Sequence, residues 1–131
     1  MKKRTIISPW HKRYEEVTYK NKKKNIPVYY RKILPLDYKY YDYKRHELFD
    51  IIIQIEIFPL REMQYKKWVF RISANTNIGG VIAENFSDTD LNHMFKSVKD
   101  AKTYVMEYWE FWLRDINHVI HHSKLYLHVD H

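Results

Sequence analysis

The sequence predicts an α+β domain in which an antiparallel β-sheet of about four to six strands packs against one long C-terminal helix. Residues 48–58 alternate between apolar and polar side chains with a period of two, and residues 67–73 repeat this pattern. Residues 101–119 change to a helical period. Strands that come before a single helix indicate separate layers of sheet and helix.

The clearest predicted strand spans residues 48–58. Its odd-numbered residues from Phe49 to Ile57 are apolar and share one face, whereas Asp50, Gln54 and Glu56 share the other. A period of two over this length predicts a sheet with one face on the core and one face largely in water, as is typical of antiparallel sheets.

Other segments supply the remaining strands and turns. Residues 14–19 and 26–34 are β-prone runs on either side of an exposed turn at residues 20–25. Pro27 favours the start or an edge for the second run. Residues 38–44 alternate tyrosine with charge and predict a half-exposed strand. Residues 75–80 contain both glycines of the chain and predict a turn with positive φ before a strand at 81–86.

The helix is predicted to begin at Ser97, an N-cap serine with an acid, Asp100, three residues later. Behind this cap, apolar residues recur at spacings of three and four over about five turns. The stripe consists of Ala101, Val105, Tyr108, Trp112, Ile116 and Val119, widened by Tyr104, Trp109, Phe111 and Leu113. Residues 125–129 permit one more short strand.

Residues 68–112 resemble a module of phage and mobile-element DNA-binding domains, namely the AP2-type and integrase arm-binding domains. In those domains three strands precede a phenylalanine, a serine or threonine cap and an alanine-bearing helix. The stretch from Phe95 through Ser97 to Ala101 matches this pattern. Such domains read the major groove with a dense basic sheet face, where this sequence has Lys66, Lys67 and Arg71. The resemblance therefore implies an order of elements only.

The positive charge of the chain lies at its N-terminus. The formal net charge is +7, but residues 1–32 hold eleven Lys and Arg against two Glu, which gives +9, and the rest carries −2. At 131 residues we expect a single domain, residues 1–131. It would carry a basic N-terminal arm of about residues 1–25 and a frayed His-rich C-terminal tail of about residues 121–131.

This charge distribution predicts a small non-enzymatic protein that docks on nucleic acid or a nucleoprotein complex through its N-terminal half. Clustered Lys and Arg gain affinity for phosphate by releasing counterions, and interleaved aromatic rings stack on unpaired bases. The expected phosphate contacts are Lys2, Lys3, Arg4, Lys12, Arg13, Lys22, Lys23, Lys24, Arg31 and Lys32. The expected stacking rings are Trp10, Tyr14 and Tyr30.

Several biological roles fit this character. A phage or mobile-element accessory protein that inhibits a host nuclease or defence complex matches the size and composition, and so does an organellar or ribosome-associated RNA-binding subunit. A second class is a protein–protein interaction module or homodimer that uses exposed Tyr and Trp and a sheet edge, for example the Tyr-rich residues 38–43. The arm could also serve solubility alone, or meet an acidic protein. A membrane surface fits least, because the arm has no apolar helical stripe.

Few catalytic chemistries are open to this sequence. It contains no cysteine and two glycines, which excludes disulfides, thiolate zinc sites and glycine-rich phosphate loops. No cofactor is expected, and without a signal peptide or membrane span we expect a cytoplasmic protein, in the host cytoplasm if it is phage-encoded. The weak metal candidates are His118 and His122 with Asp130 or His131. A metal-dependent nuclease could instead use Glu84, Asp88 and Lys96.

Overall fold

The computed structural model describes residues 5–42, 44–59, 67–86, 94–115 and 123–127. These residues form eight strands and one helix, and the predicted α+β class is confirmed. The sheet has more strands than expected because Thr5–Ile7 of the basic arm and Ser123–Leu127 of the predicted tail also form strands. The elements are β1 (Thr5–Ile7), β2 (His11–Tyr19), β3 (Lys22–Pro35), β4 (Tyr38–Asp42), β5 (Glu47–Pro59), β6 (Trp68–Thr76), β7 (Val81–Phe86), α1 (Val98–Asp115) and β8 (Ser123–Leu127).

All strand pairs in the described residues are antiparallel. The long β3 pairs with β2 through residues 22–30, with β5 through residues 29–33 and with β1 through residues 33–35. β5 also pairs with β4 and β6, β6 pairs with β7, and β4 pairs with β8. The arm is therefore part of the sheet from Thr5 onward, and part of the predicted C-terminal tail forms β8.

The hairpin between β2 and β3 has a two-residue turn. Lys20 and Asn21 have φ angles of 50° and 63°, and positive φ at both central positions matches the twist of a tight hairpin. The turn predicted over residues 20–25 is thus shorter, and residues 22–24 lie on β3. Pro27 lies inside β3 opposite Tyr14 and outside residues 29–33, which pair with β5. It therefore occupies the predicted edge position and not the start of the strand. Gly79 has φ 95°, as the turn between β6 and β7 requires.

The helix covers the face of the sheet that carries the odd-numbered isoleucines of β5. The Asp100 N–H donates to Ser97 Oγ at 3.1 Å, which confirms the predicted N-cap. Phe111 is 66% exposed, so the prediction that it widens the apolar stripe is wrong. It precedes Trp112 by one residue and so lies about 100° away around the helix. The core consists of Ile33, Tyr38, Ile51, Ile53, Ile55, Ile57, Phe70, Ile72, Ala74, Ala101, Val105, Trp109, Trp112 and Leu113.

The other face of the sheet is not the wet face that the alternation predicts. Glu56 is only 5% exposed, and Val28 and Val69 are buried on the same face. Glu56 can be buried on this face because Arg13 and Arg71 bind its carboxylate and compensate its charge. Within the described residues, no helix combines the length and apolar character needed to cross a membrane.

Candidate functional site

The predicted site residues are divided between two faces of the β2–β3 hairpin. Arg31 pairs with Ile55 and Tyr29 pairs with Ile57, so Arg31 and Tyr29 share the face on which α1 packs. We call this face the helix side and the other face the opposite side. Trp10, Lys12, Tyr14, Lys23 and Arg31 lie on the helix side, and Arg13, Lys22, Lys24, Tyr30 and Lys32 lie on the opposite side. Lys2, Lys3 and Arg4 lie outside the described residues.

On the helix side, cations from a strand and from the helix meet at one tryptophan. Cζ of Arg31 lies 4.6 Å from the centre of the Trp10 ring, and Nζ of Lys102 lies 5.1 Å from the same ring. Both distances are within the range of cation–π attraction. Lys102 reaches this ring from α1, so the contact joins the helix to the N-terminal end of β2.

A neighbouring tyrosine extends this arrangement along the hairpin. Nζ of Lys102 lies 5.0 Å from the Tyr29 ring, and Nζ of Lys12 lies 5.3 Å from it. Lys12 is also 5.1 Å from the ring of Tyr14, which is 64% exposed. We call Trp10, Lys12, Tyr14, Tyr29, Arg31 and Lys102 the helix-side cluster. Its members alternate between positive charge and aromatic surface.

The cations of the helix-side cluster have no acidic partners in the described part of the chain. No carboxylate there forms an ion pair with Lys12, Arg31 or Lys102. Nε of Arg31 is buried and has no hydrogen-bond partner among the described residues. Burial lowers the pKa of Arg31, whereas hydrogen bonding to Tyr14 and then Tyr29 raises the pKa of Lys12. Both groups stay protonated at neutral pH, so the cluster is a concentrated positive charge.

The opposite side also places arginine beside an aromatic ring, but there carboxylates neutralise the charge. Cζ of Arg13 lies 4.8 Å from the Tyr30 ring. Nη2 of Arg13 donates to Glu15 at 2.7 Å and to Glu56, and Nε of Arg71 donates to Glu56 at 3.0 Å. Burial acts to lower the pKa of Arg13, but the hydrogen bonds to Glu15 and Glu56 outweigh it and raise the pKa.

Arg13 and Tyr30, which were expected to contact nucleic acid, instead make contacts with other residues of the protein. Arg13 belongs to the ion-pair network around Glu56. The Tyr30 ring stacks with His11 at 5.3 Å between centroids and also contacts Arg13. The exposed cations of the opposite side are Lys22, Lys24 and Lys32. On the helix side, Lys23 pairs with Glu16 at 3.5 Å.

Sequence reasoning did not single out Lys102, which contributes two of the cation–π contacts. Its only sequence signal is its place next to Ala101 at the border of the apolar stripe. The direction in which α1 crosses the sheet brings it to Trp10, and that direction depends on tertiary packing.

The Tyr-rich strand β4 is used largely within the protein. Tyr38 is 6% exposed and its hydroxyl accepts a hydrogen bond from Nε of Arg114 at 3.1 Å. Tyr40 packs against the core, and the Tyr41 hydroxyl lies 3.1 Å from Nδ1 of His46. Alternate rings of this strand thus cover the core, as the simpler interpretation of the pattern expects.

The candidate metal ligands do not form a site among the residues that the structure describes. No group of three or more His, Asp or Glu there is close enough to hold a metal ion. Glu84 lies on β7 and Lys96 shortly before α1. Asp88, His118, His122, Asp130 and His131 lie outside the described residues.

Comparison of the chain with protein-family models, with curated proteins and with solved structures finds no match.

Proposed function

We propose that this chain is a non-enzymatic nucleic-acid-binding protein that holds a single strand against the helix-side cluster. The observation that carries the proposal is a set of three cations, Lys12, Arg31 and Lys102. They lie against aromatic rings and have no carboxylate partner in the part of the chain that the structure describes. Uncompensated positive charge attracts phosphate and gains affinity by releasing counterions. The strand would be bound free or within a nucleoprotein complex.

The aromatic rings favour a single strand over a duplex as the ligand. Tyr14 is 64% exposed and lies beside the Lys12 ammonium. A base that stacks on this ring would place its phosphate near a cation, which is how proteins bind single strands with little sequence preference. Paired bases in a duplex do not present their faces to such a ring.

The opposite side is the weaker candidate, although it carries more basic residues. Its two arginines, Arg13 and Arg71, bind the Glu56 carboxylate. Phosphate would have to displace this carboxylate, and the buried charge of Glu56 would then lose its partners. The remaining lysines of that side are exposed and stand without a described aromatic contact, so they attract phosphate only weakly.

The test compares two triple variants that remove the same charge from the two sides. The first replaces Lys12, Arg31 and Lys102 by Gln, and the matched control replaces Lys22, Lys24 and Lys32 by Gln. Binding of fluorescein-labelled single-stranded DNA and RNA is measured by fluorescence anisotropy over a series of salt concentrations. The helix-side variant should make the plot of log affinity against log salt concentration shallower. Its slope should fall in magnitude by about 2, because each lost phosphate contact removes about 0.7.

The control variant should keep this slope within about 0.5 of the native value. An equal loss in both variants would mean that net charge alone drives binding, and the proposal would be wrong. Failure of the native protein to bind either oligonucleotide would also overturn it. The origin of the chain in a phage, mobile element or organelle stays a prediction from composition.

A further inference from the structure

The Arg31 guanidinium carries an unsatisfied hydrogen-bond donor. Nε is buried and has no partner, and the side chain belongs to no ion pair among the described residues. Buried N–H groups without a partner are unfavourable and rare in folded proteins. Such a donor next to other positive charges is explained when an anion binds there and accepts its hydrogen bond.

The surroundings of Arg31 have the form of a receptor for an anion. The Trp10 ring contacts the guanidinium at 4.6 Å and the Lys102 ammonium at 5.1 Å, so both cations are held at one ring. Cation–π contact holds the guanidinium against the ring without consuming its N–H donors. The ring contacts therefore use none of the N–H donors of Arg31 and Lys102.

We propose that Arg31, Lys102 and Trp10 form a phosphate subsite. Nε–H of Arg31 and one of its terminal N–H groups donate side by side to the two non-bridging oxygens of a phosphodiester, and the Lys102 ammonium donates to one of the same oxygens. This inference rests on the proposed function, and it names the backbone phosphodiester as the group that the helix-side cluster recognises.

A phosphodiester suits this donor set. Its two non-bridging oxygens share one negative charge, and the guanidinium fork can meet both of them side by side. Each of these oxygens has further lone pairs, so one of them can also accept a hydrogen bond from an ammonium that approaches from α1. A Lys ammonium offers three donors as a compact charge and suits this third contact.

The test uses Arg31→Lys in the full chain, because this variant keeps the positive charge and removes the fork. Arg45→Lys, at an exposed position outside the cluster, is the matched control. Two probes are used, namely inorganic phosphate and the labelled single-stranded oligonucleotide. Phosphate binding is followed through the indole N–H resonance of Trp10, and circular dichroism with thermal melting establishes that each variant folds.

The subsite predicts that Arg31→Lys weakens oligonucleotide binding about tenfold with an unchanged salt slope, since a charge-assisted bidentate contact is lost while the charge stays. The variant should also abolish the shift of the Trp10 indole resonance with phosphate, and Arg45→Lys should change neither result. Native affinity and a native phosphate response in Arg31→Lys would overturn the subsite.

Failure of the subsite and failure of the proposed function give different results. If Arg31→Lys binds like the native chain but the helix-side triple variant still loses its salt dependence, the subsite is wrong and the proposed function stands. If the oligonucleotide does not bind while phosphate shifts Trp10 in an Arg31-dependent way, the subsite stands with free phosphate as its ligand. The nucleic-acid function is then wrong.

Discussion

The two sides of the β2–β3 hairpin present the same kinds of residue in different electrostatic settings. Arg31 lies 4.6 Å from the Trp10 ring on the helix side, and Arg13 lies 4.8 Å from the Tyr30 ring on the opposite side. Arg13 also binds Glu15 and Glu56, whereas no described carboxylate binds Arg31. Near-equal cation–ring distances thus accompany different electrostatic settings. We propose that the presence of a carboxylate decides whether an arginine holds the fold or attracts a ligand.

The largest expected effect comes from breaking the ion pairs of the opposite side. Glu56→Gln keeps the shape of the side chain but removes the charge that Arg13 and Arg71 share. We expect a loss of about 2–3 kcal/mol in the free energy of unfolding, measured by urea denaturation. This is below the cost for a fully buried pair because the two arginine side chains are 34% and 38% exposed.

Glu16→Gln is the control for this prediction, because the Glu16 side chain is 60% exposed and pairs only loosely with Lys23. It should change the free energy of unfolding by less than about 0.5 kcal/mol. Equal effects of the two substitutions would show that the network around Glu56 does not hold β2 to β5 and β6.

The next effect concerns stacking on the helix side. Tyr14→Ala removes the exposed ring and should weaken oligonucleotide binding about tenfold, since each base stacked on an aromatic side chain contributes about 1–3 kcal/mol. Because no charge is lost, the slope of affinity against salt should stay the same. Tyr30→Ala, on the opposite side, should change the affinity by less than about twofold if stacking is confined to the helix side. A larger loss of affinity in Tyr30→Ala than in Tyr14→Ala, measured by fluorescence anisotropy, would contradict stacking on the helix side.

The helix cap links stability to the position of Lys102. Ser97→Ala removes the acceptor of the Asp100 N–H and should cost about 1 kcal/mol in urea unfolding. Lys102 lies in the second turn of α1, so fraying of the first turn should also weaken oligonucleotide binding slightly. Thr103→Ala, whose exposed hydroxyl bonds the Lys99 carbonyl, should leave both measurements within experimental error. A Ser97→Ala variant as stable as the native chain would show that the cap contributes nothing.

The smallest effect concerns the part of the helix side that α1 covers. Burial raises the pKa of Tyr108, the hydrogen bond from Asn85 opposes this rise, and Tyr104 and Asp115 add to it. The folded state therefore holds the phenol proton more tightly than the unfolded state does. This stabilisation is complete below the ordinary tyrosine pKa of about 10 and is lost as the pH rises above it.

Tyr108→Phe is expected to make the free energy of unfolding fall less steeply with pH above about 10 than in the native chain. The measurement is urea unfolding at a series of alkaline pH values. Tyr41→Phe serves as the control, since the Tyr41 hydroxyl on β4 lies beside Nδ1 of His46 in an exposed contact. Parallel curves for the native chain and Tyr108→Phe would contradict a raised pKa at this position.

The sequence predicted where the strands and the helix lie better than it predicted which face of the sheet each side chain occupies and whether that face is buried. The period of β5 and the Ser97 cap are local signals, and both elements were found where expected. The burial of Glu56 was missed because its partners come from β2 and β6, far apart along the chain. The basic arm looked like one surface because a count of charges ignores strand alternation, which sends neighbouring residues to opposite sides.

The most direct test of the account is to find which side of the hairpin the oligonucleotide contacts. The chain is titrated with an unlabelled single-stranded oligonucleotide while side-chain resonances are followed by nuclear magnetic resonance. If the oligonucleotide binds the helix side, the Trp10 indole and the Tyr14 ring shift together to saturation, and the Tyr30 and His11 rings stay unchanged. Shifts of Tyr30 and His11 with a constant Trp10 indole would contradict binding on the helix side.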